Sequence, residues 1–197
     1  MGRTLNSSAS IGGSGSSVTE PGTYHVQVLR SADGQSTKGN QISGCSAVLS
    51  VLAGTVQGQV GKEHSLHLFD PDMSKDEKSQ DWSVKKQTAY AIAINQMAPS
   101  DLGKSVDVDF DNAEGQQFFI NLEENDYNGE KSIQLAFANI YHVDDPRAKD
   151  FPRNEDAMKI LPAELRKGPE YFEPLQGKPK AKKKEETRLQ EADLDEL

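Results

Sequence analysis

Cysteine is nearly absent. Cys45 is the only one in 197 residues, which excludes an intramolecular disulfide framework and any multi-cysteine zinc site. A reducing, cytoplasmic setting is the expectation. Long hydrophobic runs are missing too. The longest lies near Tyr90–Ile94, far short of the roughly 20 residues that span a bilayer. Residues 1–17 carry one basic residue, Arg3, and no apolar core, so they do not read as a secretory signal. Hydrophobic residues make up 35 %, against the roughly 45–50 % of a globular domain on a count that includes glycine. Part of the chain is therefore expected to stay unpacked. Basic residues are the minority: 22 Lys and Arg face 31 Asp and Glu, a formal charge of −9. That balance argues against a simple basic nucleic-acid binder.

Composition divides what is present into zones. Residues 1–17 hold six Ser and four Gly and read as a disordered tail. Residues 18–150 hold the apolar periodicity and most of the aromatics. Residues 151–176 are Pro-rich and read as an extended arm, in which Glu155–Ile160 could form a short helix; whether the arm packs on the barrel is open. Residues 177–197 read as a Lys-rich linker followed by an acidic tail. The core zone alone carries 11 basic and 20 acidic residues, still −9.

Within the core, Tyr24, Val26 and Val28 alternate with His25, Gln27 and Leu29, the period of a half-buried strand. Ser31–Asn40 reads as a polar loop. Ile42–Val56 reads as a second strand, with Gly44 and Gly54 as bends or bulges. His64–Phe69 reads as a third, with Leu66 and Leu68 on one face and His67 and Phe69 on the other. From Gln80 to Met97 the pattern becomes helical and ends before Pro99. Strands resume at Ser105–Phe110, Gln117–Glu123 and Ser132–Val143. Asp126–Gly129 (DYNG) is a hairpin-type turn between the last two.

Three strands, one helix, then further strands is the order of a five-stranded OB barrel, whose helix lies between strands three and four. Other small α+β folds share this order. The expected class is mainly β, an OB-fold-like barrel with disordered N- and C-terminal tails. Such a barrel binds nucleic acid on the face of strands 2–3 and on the 1–2 and 4–5 loops.

Candidate chemistry follows from residue type and phase. Asp107, Asp109 and Asp111 point one way along a strand, as a metal site requires, yet a solvated strand face explains them as well. Asn112 and Phe118 break the calcium-loop pattern. His64 and His67 fall on opposite strand faces. Cys45 reads as a small packed residue, and Trp82 as a core anchor. With no nucleophile elbow or phosphate loop, a non-enzymatic protein without a cofactor is expected. Single-strand binders stack bases on exposed rings beside basic groups. Phe119 is out of phase with Phe118, Ile120 and Leu122, and Phe69 with Leu66 and Leu68. Tyr127 sits in the hairpin turn near Lys131, Lys38 in the first loop, and Lys62 at the start of the third strand. The tail residues Glu191, Asp193, Leu194, Asp195, Glu196 and Leu197 form an acidic–hydrophobic docking segment.

The segments TKGNQISGCSAVLSVLAG and GKEHSLHLFD, the helix VKKQTAYAIAIN, and LGKSVDVDFDNAEGQQFFINLEE resemble phage-encoded OB-fold single-stranded-DNA-binding proteins of recombination and replication modules. The resemblance covers roughly residues 20–145. It implies binding and protection of single-stranded DNA in replication, recombination or repair. It also implies Lys38, Lys62 and Lys104 as basic contacts, and replication or recombination proteins as partners of the tail. The tail lacks the terminal Pro-Phe of bacterial single-strand-binding proteins. A protein-interaction module without nucleic-acid binding is the alternative, and a nuclease using the three aspartates a third. No membrane partner is expected, and a homo-oligomer stays open.

Overall fold

The computed structural model describes residues 16–36, 39 and 41–176. Five antiparallel strands form one open sheet: β1 (Gly22–Gln35), β2 (Gln41–Gly54), β3 (Glu63–Phe69), β4 (Gln117–Tyr127) and β5 (Glu130–His142). Their spatial order is β3-β2-β1-β4-β5. One long helix, α1 (Glu77–Ala93), lies between β3 and β4 in the chain. No helix among the described residues is long and apolar enough to cross a membrane.

Local chemistry sets these boundaries. Asp76 caps α1 by accepting the Ser79 N–H at 3.0 Å, which satisfies one of the orphan donors of the first turn. The helix therefore starts three residues before the expected Gln80. Asn95, at φ +61, turns the chain out of the helix in the left-handed conformation common at C-termini, so α1 stops short of Met97. At the β4–β5 hairpin Asn128 and Gly129 both have positive φ. That is the two-residue turn whose twist matches the flanking strands, and Asp126 Oδ1 accepts the Gly129 N–H at 2.9 Å. Gly44 has φ +118, and a Cβ there would sit 2.0 Å from the Leu68 carbonyl oxygen. Glycine lets β2 and β3 close on each other at that point.

Tyr24, Val26, Val28, Cys45, Leu49, Val51, Leu66, Leu68, Phe118 and Ile120 fill the inner face of the sheet against the last turn of α1 (Tyr90–Ile94) and Phe110. Three expectations change. β1 continues through the expected Ser31–Asn40 loop to Gln35 and pairs with β2 as far as Gln41. Ser105–Phe110 forms no strand. Its alternation is real: Phe110 is buried, Val106 and Val108 are half-buried, and the aspartates are exposed. However, β4 already occupies the edge of β1 between Gly22 and Gln27. The segment instead turns at Phe110–Asn112 and meets β1 through side chains, the Asp33 N–H donating to Asp111 Oδ1 at 2.7 Å. The arm, third, is turned rather than extended, and it packs on the sheet, a point the sequence leaves open. It forms a short helix, α2 (Glu155–Ile160), and 3-10 turns. Ala148, Met158 and Leu161 join Phe119 and Val143 in a second apolar cluster on the outer face of β4 and β5.

The sheet's two surfaces thus have different fates. The inner face is core, and the outer face of β1, β4 and β5 lies under the arm. On the outer face of β2 and β3 and the adjoining half of β1, Arg30, Ser65, His67 and Phe69 are exposed, while Ser46 and Val48 between them are buried.

Candidate nucleic-acid interface

Register identifies the residues on that outer face. Inward positions of β2 are Cys45, Ala47, Leu49 and Val51, so Ser46, Val48 and Ser50 point outward. Across from them on β3 lie His67, Ser65 and Glu63. On β1, Val28 opposes Leu49 but Arg30 opposes Val48, because Leu29 is an extra residue between them. This bulge reverses the phase of β1. Arg30 and Ala32, which simple alternation would send inward, therefore join the outer face. Arg30 is exposed, forms no ion pair among the described residues, and lines an open cleft of about 310 Å³ with Ser36, Gly39 and Glu114.

Phe69 is 59 % exposed at the end of β3. The His67 ring stacks against it at 23°, with centroids 6.5 Å apart. From the Arg30–Val48–Ser65 row to Phe69 is four residues, a strip about 13 Å long at roughly 3.3 Å per residue. Arg30 and His67 thus share this face with Phe69, and neither was a candidate from the sequence. His67 was on the right face by phase. Arg30 was hidden by the bulge. His64 points inward, and burial, with His67 next to it, pushes its pKa down to about 4.

The other expected contacts fall elsewhere. Phe119 does not face solvent. It is fully buried under the arm, edge-on to Phe151 at 5.7 Å and beneath the Arg153 guanidinium at 5.3 Å. It is out of phase with the core, as its neighbours require, but that surface is occupied and no base can stack there. Tyr127 is 73 % exposed at the β4–β5 hairpin tip, among Glu124, Asp126 and Glu130. Lys131 pairs with Glu124 at 2.8 Å, and Lys104 with Asp101 at 2.9 Å. Lys62 donates to Thr19 Oγ1 at 3.2 Å and Gln59 Oε1 at 3.1 Å, at the opposite end of β3 from Phe69. Lys38 and the tail residues Glu191, Asp193, Leu194, Asp195, Glu196 and Leu197 lie outside the described residues, as do residues 1–15 and 177–197. Trp82 is no core anchor. It is exposed on α1, edge-on to Phe137 at 5.2 Å.

Asp109 and Asp111 serve the turn at Phe110–Asn112, Asp109 accepting the Asp111 N–H at 3.0 Å. Among the described residues no three His, Cys, Asp or Glu side chains gather as metal ligands.

The arm is fixed by buried polar contacts. The Asn154 N–H donates to His25 Nδ1 at 3.1 Å, and the Asn154 side chain to the Leu52 carbonyl at 3.3 Å. Gln117 reaches the Ala157 carbonyl at 3.2 Å, and His142 Nε2 meets the Leu165 carbonyl at 3.0 Å. Burial, helped by the Arg153 guanidinium, pushes the His25 pKa down to about 4. Burial also lowers that of His142. Burial raises the Asp144 pKa, but the Arg166 guanidinium and the Lys167 N–H outweigh it and hold the carboxyl below its ordinary range. Compared with protein-family models and with curated proteins, the chain finds no match in either.

Proposed function

We propose that the chain is a non-enzymatic single-stranded-DNA-binding protein whose binding surface is the outer face of β1, β2 and β3. In this reading the sheet and α1 form a partly open OB-like barrel, and that face is the one such barrels use. The observation that carries it is the exposed Phe69–His67 pair sharing a strand face with the exposed Arg30. Bases stack on the rings, Arg30 holds a phosphate, and Ser65 offers a hydroxyl. Every base has a π-face, so binding is sequence-tolerant. Lys62, Lys104 and Lys131 are already engaged by protein groups and contribute little. Arg30 on an acidic body makes the affinity modest at physiological salt. The acidic tail recruits replication or recombination proteins of a phage-infected cytoplasm.

The paired lysines and the −9 charge favour a second reading, a docking module for another protein on the same face. Fluorescence anisotropy with labelled oligo(dT), at low and physiological salt, separates the two. Binding that weakens with salt supports the first reading. No binding at low salt rejects it.

A further inference from the structure

A sheet in the order β3-β2-β1-β4-β5 ends in two edge strands. Each edge presents backbone N–H and C=O groups for another strand to take up. The β5 edge is blunted. Between Ile140 and Leu135 it advances five residues while β4 moves only two, from Ile120 to Leu122. Such a bulge twists an edge away from flat pairing, and α1 packs against the same strand. The β3 edge has no such guard. Its sequence, EHSLHLF, holds no proline and no lysine, and it pairs with β2 without a bulge.

Hydrogen bonds fix which groups of β3 are free. The Asp70 N–H donates to the Ser43 carbonyl at 2.9 Å, and the Val51 N–H to the Lys62 carbonyl at 2.9 Å. Even-numbered residues of β3 therefore face β2, and odd-numbered ones face the edge. Glu63 follows this rule. Its N–H donates to the Ser16 carbonyl at 3.2 Å, and its carbonyl accepts the Val18 N–H at 2.9 Å. The N-terminal segment covers the edge only there, at the Ser17–Glu63 bridge. Ser65, His67 and Phe69 aim the same way, and no other described strand pairs with them. Beyond Phe69, Asp70 turns back to β2 and Pro71 has no N–H. The free stretch is closed at both ends and symmetric about His67.

That symmetry selects the partner. A two-fold axis through His67, perpendicular to the sheet, sets His67 of one copy against His67 of the other and Ser65 against Phe69. Every free N–H then meets a C=O. A shift by two residues leaves part of each edge unpaired. The side chains fit this arrangement, because all three are exposed on the outer face and the largest, Phe69, lies opposite the smallest, Ser65. We propose that two copies of the chain pair antiparallel through Ser65–Phe69 of β3, forming one continuous sheet. The second copy completes the outer-face strip. Phe69 and His67 of both copies form a single row, flanked by β1 strands about 24 Å apart that each carry Arg30. The pairing itself does not rest on DNA binding.

Sedimentation of the full chain across a concentration series tests it. The wild type is expected to pass from monomer to dimer as concentration rises, because so short a contact holds weakly. Ser65→Pro removes an edge N–H from each copy and leaves the β2 ladder intact. It is expected to weaken the dimer by about 5- to 150-fold, the worth of two hydrogen bonds, with circular dichroism checking its fold. His67→Glu and His67→Lys keep the backbone and set like charges face to face on the axis. Each is expected to dimerise more weakly alone, and their equimolar mixture to recover the dimer. A wild type that stays monomeric at every concentration overturns the proposal and leaves the edge to a strand of another protein. Oligo(dT) binding by that monomer leaves the DNA reading standing. A dimer that all three variants leave unchanged also overturns it, by placing the interface elsewhere. So do two weakened His67 variants whose mixture recovers nothing. A dimer sensitive to these changes that binds no oligo(dT) supports the pairing and rejects the DNA reading.

Discussion

His25 offers a quantitative handle on how the arm is held. Its ring is fully buried, and its Nδ1 accepts the Asn154 N–H, which requires that nitrogen to be unprotonated. A proton there would set two donors against each other and add an unpaired buried charge. The folded pKa of about 4 lies below the ordinary 6.5, so between those values the unfolded chain binds more protons. The stabilisation is complete above pH 6.5 and is lost as pH falls toward 4. Linkage gives a loss of about 2 kcal/mol by pH 5 and about 3 kcal/mol in full. The perturbation is acidification from pH 7 to pH 5 in the wild type and in His25→Gln. Glutamine offers an amide oxygen to the same N–H and does not titrate. The assay is urea unfolding at both pH values. His64 and His142 titrate in both proteins, so the difference isolates His25. The wild type is expected to lose about 2 kcal/mol more than the variant, with Asn154 amide protection falling first. Equal losses refute the reasoning.

Gly44→Ala places a Cβ against the Leu68 carbonyl at positive φ and is expected to destabilise by more than about 4 kcal/mol or prevent folding, read as a shift in Tm. The Cys45 thiol is buried and its pKa pushed up to about 12, chiefly by burial, so an aromatic disulfide reagent at pH 8 reacts only through opening of the fold. The labelling rate is expected to rise with urea in step with unfolding; rapid reaction of the native protein contradicts this. Phe119→Ala removes a ring packed against Phe151 and Arg153 and is expected to cost about 3–5 kcal/mol of stability. Oligo(dT) affinity, measured below the variant's Tm, stays unchanged because that face is covered.

Much of the fold is legible in local pattern. Val26 and Val28, Leu66 and Leu68, and Phe118 and Ile120 alternate in real strands. The DYNG turn and the helix at Glu155–Ile160 fall where short-range chemistry places them. What local pattern leaves open is which surface covers which. Val106 and Val108 alternate like strand residues, yet their segment turns at Phe110–Asn112 and meets the second half of β1 through side chains rather than a ladder. Phe119 points away from the core as its phase demands, but an arm some thirty residues later lies over it. Arg30 is hidden for a different reason. One extra residue, Leu29, reverses the phase of β1, and a bulge of that kind depends on both strands. Phe69 needed none of this, because it sits in an unbroken strand beside uncovered neighbours.

The most direct test of the account is oligo(dT) anisotropy on Phe69→Ala and Arg30→Ala, with Phe119→Ala and Lys131→Ala as controls. Both site residues are exposed, so their loss does not threaten the core. Loss of one stacking ring is expected to weaken binding by about 5- to 150-fold, from roughly 1–3 kcal/mol per base. Arg30→Ala is expected to lower the salt slope by about 0.7. The controls keep wild-type affinity. Wild-type binding with an unchanged Phe69→Ala variant, or no binding at low salt, contradicts the account.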